Sequence, residues 1–319
     1  MNDDGNLIHS DEWLEIVASA ARAAARVSGK GDKHLADEVA VKAFNDGLEK
    51  LSEAVVVAVG EGERDFAPRL NQSKVYGGSG HTREANFEIA IDPLECTKSC
   101  AEGLPNSFVV LAVGRRGAFL PLPDIFVHKL ACGPALAGRL NLGDSIEKNL
   151  LVAQQTLGCP ASELTVIVLK RDYNQPLGDA ITAAGAKVRW IQDGDVLASL
   201  QTCLEPKTLL AGIGGATEGV LSSAALQCLG GDLQVKVYMR NDHDQRKLQS
   251  APQIDPNRIY QIHELASGSV SFWMAGVTAG DLLPGVLESP SGVEVTILKL
   301  TTAKMGVQTR IAVQQPLLT

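Results

Sequence analysis

Acidic residues gather at the ends of apolar runs in this chain. The stretch "IDPLECT" places Asp92 and Glu95 after a β-branched run, with Thr97 two residues further on. "VAVGEGERD" does the same with Glu61, Glu63 and Asp65, and "GIGGATEG" sets Glu218 in a glycine-rich turn. "LADE" adds Asp37 just past the helix break "GKGD". Active sites of layered α/β proteins form where loops leave the carboxyl ends of strands, so these acidic strand ends are candidates for one site. Converging carboxylates repel and raise one another's pKa, and a divalent cation removes that conflict. Oxygen ligands without His or Cys point to Mg²⁺ or Mn²⁺ rather than zinc. Such an ion suits hydrolysis of a phosphate ester, with the Thr97 hydroxyl either orienting the attacking water or donating to phosphate. Taken singly, each acid also fits a solvated turn or a helix cap, the usual place of Asp and Glu beside Gly and Pro.

Three other groups bear on chemistry. Gly212, Gly214, Gly215 and Gly219 resemble a phosphate or dinucleotide loop, yet Glu218 among them would repel a pyrophosphate unless a metal intervened. Lys170 and Arg171 follow the apolar run "LTVIVL" and either hold a phosphate or face solvent. "DGDV", Asp193 to Val196, either accepts from sugar hydroxyls or closes an Asx turn.

The elements that must position these groups are legible in outline. Residues 11–27 are alanine-rich with helical spacing, and "KHLADEVAVKAFNDGLEKL" resumes that spacing after "SGKGD". "AVVVAVGEGERD" predicts a buried strand and its loop, and "ANFEIAIDPLECTKSCAEG" a strand, a turn and a short helix. "SFVVLAVGRRGAFLPLPDIFVHKLACG" predicts two strands joined by a hairpin, and the tail "VEVTILKLTTAKMGVQTRIAVQQ" two more strands. After about residue 148 strands and helices alternate in the βαβ rhythm of a layered α/β unit. The expected division is an N-terminal α+β domain over 1–148, carrying most of the acids, and a C-terminal α/β domain over 149–319 with the sugar-side loops and Glu218.

The chain has 319 residues, 45% hydrophobic and 21% charged, with a formal net charge of −8. That balance argues against nucleic acid or an anionic membrane as the main partner, since both call for a clustered positive field. No apolar run is long enough to span a bilayer, and the acidic N-terminus lacks the features of a secretory leader. Six scattered cysteines form neither a zinc pair nor a disulfide framework, so a reducing cytoplasm is the expected compartment. Cys96 and Cys100, four apart, would lie on neighbouring turns of a helix; two reduced thiols are expected over a regulatory disulfide.

Seven ordered motifs, "GKGDKHLAD", "GEGERDFAP", "IDPLECT", "LPDIFVHKL", "SELTVIVL", "DGDVLAS" and "GIGGATEGV", resemble the class II fructose-1,6-bisphosphatase family over nearly the whole chain. That family sits within the lithium-sensitive, metal-dependent sugar phosphatases. The resemblance implies a layered α/β/α/β/α sandwich, Mg²⁺ or Mn²⁺, a dimer or tetramer, and removal of a sugar 1-phosphate in gluconeogenesis or the pentose-phosphate cycle. Relatives in photosynthetic bacteria also take sedoheptulose-1,7-bisphosphate. Carried over by position, Asp37, Glu61, Asp92, Glu95 and Glu218 match the metal carboxylates, and Thr97 the threonine that works with the attacking water. Lys33 falls on the lysine of the first motif and Asp65 on an acid beside the metal loop, so Glu61, Asp65 and Thr97 are the expected catalytic set. The expected substrate contacts are Glu95, Cys96, Thr97, Phe126, Arg171, Tyr173, Asp193, Gly194, Asp195 and Gly215, with Gly214 in the turn beside Glu218.

Three positions depart from the family pattern. Cys96 stands where a glycine lets the backbone approach the phosphate, Phe126 replaces a phosphate-binding tyrosine, and Tyr173 replaces the second of two basic residues. The metal side is whole and the phosphate side altered. Besides hydrolysis of a sugar bisphosphate, action on a different phosphorylated metabolite and a catalytically impaired binding or regulatory relative therefore stay open.

Overall fold

The structure is a computed structural model and describes residues 10–60, 70–78, 84–305 and 308–315. In chain order its elements begin with α1 (Ser10–Ala25), α2 (Lys33–Leu48), β1 (Val55–Val59), β2 (Val75–Tyr76), β3 (Phe87–Glu95), α3 (Thr97–Glu102) and β4 (Phe108–Arg115). Next come β5 (Phe126–Cys132), α4 (Ile146–Leu157), β6 (Thr165–Leu169), α5 (Gln175–Ala183), β7 (Lys187–Ile191), α6 (Asp195–Leu204) and β8 (Thr208–Gly215). The rest are α7 (Ala216–Leu229), β9 (Asp232–Tyr238), α8 (Asp242–Gln249), β10 (Ile259–Gln261), α9 (Ile262–Leu265), β11 (Val270–Gly276), β12 (Leu287–Ser289), β13 (Gly292–Thr301) and β14 (Thr309–Gln315). The fold is a layered α/β one.

The chain divides into two units, 1–119 together with 268–319, and 120–267. The expected boundary near residue 148 is thus corrected at both ends. Strand β5 pairs with β8 and β9 and so belongs to the second unit, while β11 pairs with β4 and returns the C-terminal strands to the first. The expected β4–β5 hairpin is corrected too: the two strands lie in different sheets. An alternating pattern marks each strand as half-buried but does not say which partner edge it takes.

In the first unit the described sheet runs β12-β13-β11-β4-β3-β1-β2, with β14 on β13. Helices α1 and α2 pack on each other and on this sheet. Ala20, Ala21, Ala24, Ala36 and Ala40 are buried in one apolar cluster with Trp13, Phe44, Ile89, Ile91 and Leu111. Asp32 caps α2 by accepting from the His34 and Leu35 N–H groups.

In the second unit the described sheet runs β10-β9-β5-β8-β6-β7. The expected βαβ rhythm is present, with β6 parallel to both β7 and β8. Leu150, Ala153 and Ile181 of α4 and α5 pack against Val166, Val168, Leu209 and Ala211. Helices α6 and α7 pack on each other and on β5, β8 and β9.

Candidate active site

The first unit contributes the "IDPLECT" segment. In a regular strand, residues three apart point to opposite faces, so Asp92 and Glu95 would diverge. They do not, because the β3–β4 ladder shifts register between them, where Asp92 pairs with Val110 but Glu95 with Phe108. The extra residue falls within Pro93 and Leu94, and Pro93 has no N–H to give the ladder and is tolerated at such a bulge. The bulge brings a carboxylate oxygen of each acid within 4.8 Å of the other. Both are buried, Asp92 3% and Glu95 4% exposed. Asp92 accepts from the Leu94 N–H at 3.0 Å, and the Glu95 carbonyl accepts from the Ser107 hydroxyl at 3.0 Å.

Cys96 follows with φ 57° and ψ 46°, in the left-handed region, at the N-terminus of α3. That conformation gives the physical reason for a glycine there, and the cysteine adopts it rather than imposing another. Its thiol and that of Cys100 are both buried, and neither is in a disulfide. Burial pushes the Cys100 thiol up, and its sulfur donates to the Ala24 carbonyl at 3.6 Å. Thr97 opens α3 and donates its hydroxyl to the Leu94 carbonyl at 2.8 Å. The "SGKGD" break is docked on the same helix: the Gly29 and Gly31 N–H groups donate to Cys100 and Ala101 carbonyls at 2.9 and 2.7 Å. Both glycines have positive φ, which the bend requires. Asp37, half-buried, and the exposed Lys33 stand on α2, which packs on β3 and α3. Glu61, Glu63 and Asp65 lie outside the described residues.

In the second unit the remaining expected residues come to one edge of the sheet, formed by the carboxyl ends of β6, β7, β8 and β9 and the start of β5. Phe126 pairs with Gly215 on one side and Tyr238 on the other. Glu218 lies in the first turn of α7, against Gly215, where a Cβ would come within 2.0 Å of its carboxylate. A Cβ on Gly214 would meet Asp195 Oδ2 at 2.4 Å, and one on Gly212 would meet Asn174 Oδ1 at 3.1 Å. The glycine-rich turn is therefore fitted to three protein side chains, which accounts for Gly212, Gly214 and Gly215 without a dinucleotide.

Asp195 starts α6, and its carboxylate accepts from Lys129 Nζ at 2.6 Å, the two side chains 6% and 3% exposed. Sequence reasoning missed Lys129, although a lysine inside the apolar run "IFVHKLA" is itself a signal, since a buried lysine needs a partner. It also missed Asn174, which donates to the Leu169 and Ile213 carbonyls and accepts from the Ile213 N–H at 2.8 to 3.1 Å. The β6–β8 register ends at Ile167 and Leu210, so this amide ties the strands together just where they part.

Asp193 accepts from the Gly194 N–H at 3.2 Å, with Gly194 at φ 86°. Burial of its carboxyl and the neighbouring Asp195 push the Asp193 pKa up, against Arg171. Arg171 Nη1 donates to the Lys170 and Gln192 carbonyls at 3.0 and 2.7 Å. Tyr173 stands edge-on to Phe126 with ring centres 6.3 Å apart.

The family model for bacterial, glpX-encoded fructose-1,6-bisphosphatase matches residues 8–313. The chain belongs to this family. It is 36% identical over 316 residues to the D-fructose 1,6-bisphosphatase class 2/sedoheptulose 1,7-bisphosphatase of Thermosynechococcus vestitus, covering 91% of each chain. It is 37% identical over 299 residues to the protein of the same description from a Nostoc species, covering 86% of this chain and 87% of that one. A solved structure, an extragenic suppressor from Pyrococcus furiosus, is similar at a TM-score of 0.33 and 14% identity over 61% of this chain and 69% of that one, a likeness too slight to bear on the fold. The family is one of phosphatases, and the chain is an enzyme of that class. No described helix is long and apolar enough to cross a membrane.

Proposed function

We propose that this chain hydrolyses the 1-phosphate of a sugar bisphosphate, fructose-1,6-bisphosphate and also sedoheptulose-1,7-bisphosphate, with Mg²⁺ or Mn²⁺, in the cytoplasm and as a homodimer or homotetramer. The family match over residues 8–313 supports the reaction class. The observation that carries the chemistry is the bulge that buries Asp92 and Glu95 side by side. Two buried carboxylates that close favour a cation between them, and an all-oxygen donor set fits a hard divalent ion.

Asp92, Glu95, Asp37, Glu61 and Glu218 are the proposed ligands. When bound, the cation polarises phosphoryl oxygens and lowers the pKa of water. The chain's own part is positioning. The Thr97 proton is spent on the Leu94 carbonyl, so toward substrate this hydroxyl accepts. Accepting from the attacking water would turn that water's lone pair toward phosphorus, and the bond to Leu94 supports this role over donation to phosphate. Asp65 is proposed to act in catalysis with Glu61 and Thr97. Asp193, Gly194 and Asp195 meet the sugar hydroxyls, while Gly215 leaves room for the Glu218 carboxylate.

The test is phosphate release over a panel of sugar phosphates with each cation. Release from fructose-1,6-bisphosphate is expected; release only from other esters would move the assignment to a different metabolite, and none at all would remove it. Thr97→Ala should lower kcat by roughly a hundredfold with KM little changed, as loss of an oriented reactant does. A kcat within twofold of wild type would refute its role.

A further inference from the structure

The start of β5 and the end of β9 carry a side-chain group that the reaction above leaves unused. Arg240, just past β9, lies over the Phe126 ring with its guanidinium 3.6 Å from the ring centre. Its Nε and Nη2 donate to the two oxygens of Asp244, both at 2.8 Å. Asp244 is fully buried. It also accepts from the Arg240 N–H at 3.2 Å, and Asn241 caps the helix that carries it. One edge and one face of the guanidinium are thereby fixed. Nη1 is left, with no hydrogen-bond partner among the described residues.

Beside it, Tyr173 stands edge-on to Phe126 and 6.2 Å from the Tyr238 ring. Burial raises the Tyr173 pKa, while Arg171 and Arg240 both act to lower it, so two guanidiniums bear on one phenol. Arg171 is held by main-chain carbonyls, which orient it without neutralising it, and it makes no ion pair among the described residues. Of the acids around Arg240 and Tyr173, Asp195 is paired with Lys129, Asp124 with Lys247 and Asp244 with Arg240 itself, while Asp193 lies under the influence of Arg171. Oriented donors from two arginines and a phenol suit the oxygens of a phosphate dianion.

We propose that Arg240, with Tyr173 and Arg171, binds the phosphomonoester at the far end of the substrate, the one that is not hydrolysed. The inference rests on the sugar bisphosphate reading and adds a specificity-determining residue to it. The donor absent at Phe126 is supplied by the Tyr173 hydroxyl, and the cation absent at position 173 by Arg240. Phe126 serves as the platform that holds Arg240 flat.

The experiment compares wild type, Arg240→Lys, and Arg240→Leu combined with Asp244→Asn, which avoids stranding a buried charge. KM and kcat are measured for fructose 1,6-bisphosphate and for fructose 1-phosphate, and binding of fructose 6-phosphate and of inorganic phosphate by calorimetry. The leucine variant should raise KM for the bisphosphate roughly tenfold to a hundredfold, the loss of charge-assisted hydrogen bonds. Its kcat should stay within twofold and its KM for the 1-phosphate unchanged, with the lysine variant in between. An equal change for both substrates, or none for either, would overturn the proposal. If wild type released no phosphate from any sugar bisphosphate, the reading of the reaction would fail on its own. The subsite would then stand if fructose 6-phosphate bound wild type and not the leucine variant, and fall if both bound it equally or neither did. Inorganic phosphate bound as tightly as fructose 6-phosphate would mark a free-phosphate site and overturn the substrate assignment.

Discussion

Cys96 carries a backbone that glycine would carry without strain. The left-handed conformation costs a non-glycine residue about 1–2 kcal/mol, and removing a small buried side chain returns a cost of similar size. Cys96→Gly should therefore leave the unfolding free energy within about 1 kcal/mol by these terms. If the thiol crowds the phosphate, the same change should raise kcat/KM on the bisphosphate; an unchanged value would show that the thiol stands clear of substrate. His128 makes a different prediction. Burial and Lys236 hold its pKa below the ordinary 6.5, and its ring stands edge-on to Tyr238. As pH falls below that ordinary value the unfolded chain takes up the proton first, so stability drops until the folded pKa is passed. The melting temperature should fall between pH 7.5 and 5.5, and His128→Gln should make that fall shallower. An identical pH slope in the variant would exclude the histidine as its source. The half-buried Cys203 and the buried Cys228 are not expected to react, since desolvation raises their thiols to about 11 and about 12.

At the scale of elements, the edge of the second sheet near Phe126 depends on side chains that join separate elements. Lys129 on β5 holds Asp195 at the start of α6, and the glycine at 214 leaves space for both. Lys129→Met would leave a buried carboxylate uncompensated, a loss of about 3–5 kcal/mol in breaking one half of a buried pair. Adding Asp195→Asn should recover most of that stability without restoring activity. Urea unfolding separates the cases: a shift of midpoint at constant slope is expected for the single variant and a much smaller shift for the double. A single variant as stable as wild type would show that the pair does not hold this edge together.

For the whole molecule, divalent cation should couple to stability as well as to turnover. Chelation should stop phosphate release, and readdition of Mg²⁺ or Mn²⁺ should restore it. A ligand at a hundred times its Kd adds about 2.7 kcal/mol to the folded state, so the melting temperature should rise with cation concentration. No rise in wild type would count against the proposed metal site; a rise that Asp92→Asn and Glu95→Gln abolish would support it. The sequence by itself determined the family, the layered α/β class and the position of "IDPLECT" at a strand end, because composition, period and ordered motifs are local properties. It also marked Cys96, Phe126 and Tyr173 as departures. The division of the chain was not legible, since pairing of β11 with β4, and of β5 with β8 and β9, joins segments far apart in sequence. Nor was the side on which Glu95 points. A period of two sends Asp92 and Glu95 to opposite faces, and only the bulge between them, seen against the register of β4, sets them together. The place of Arg240 on Phe126 was hidden for the same reason: residues 114 positions apart meet only because β5 and β9 are antiparallel neighbours.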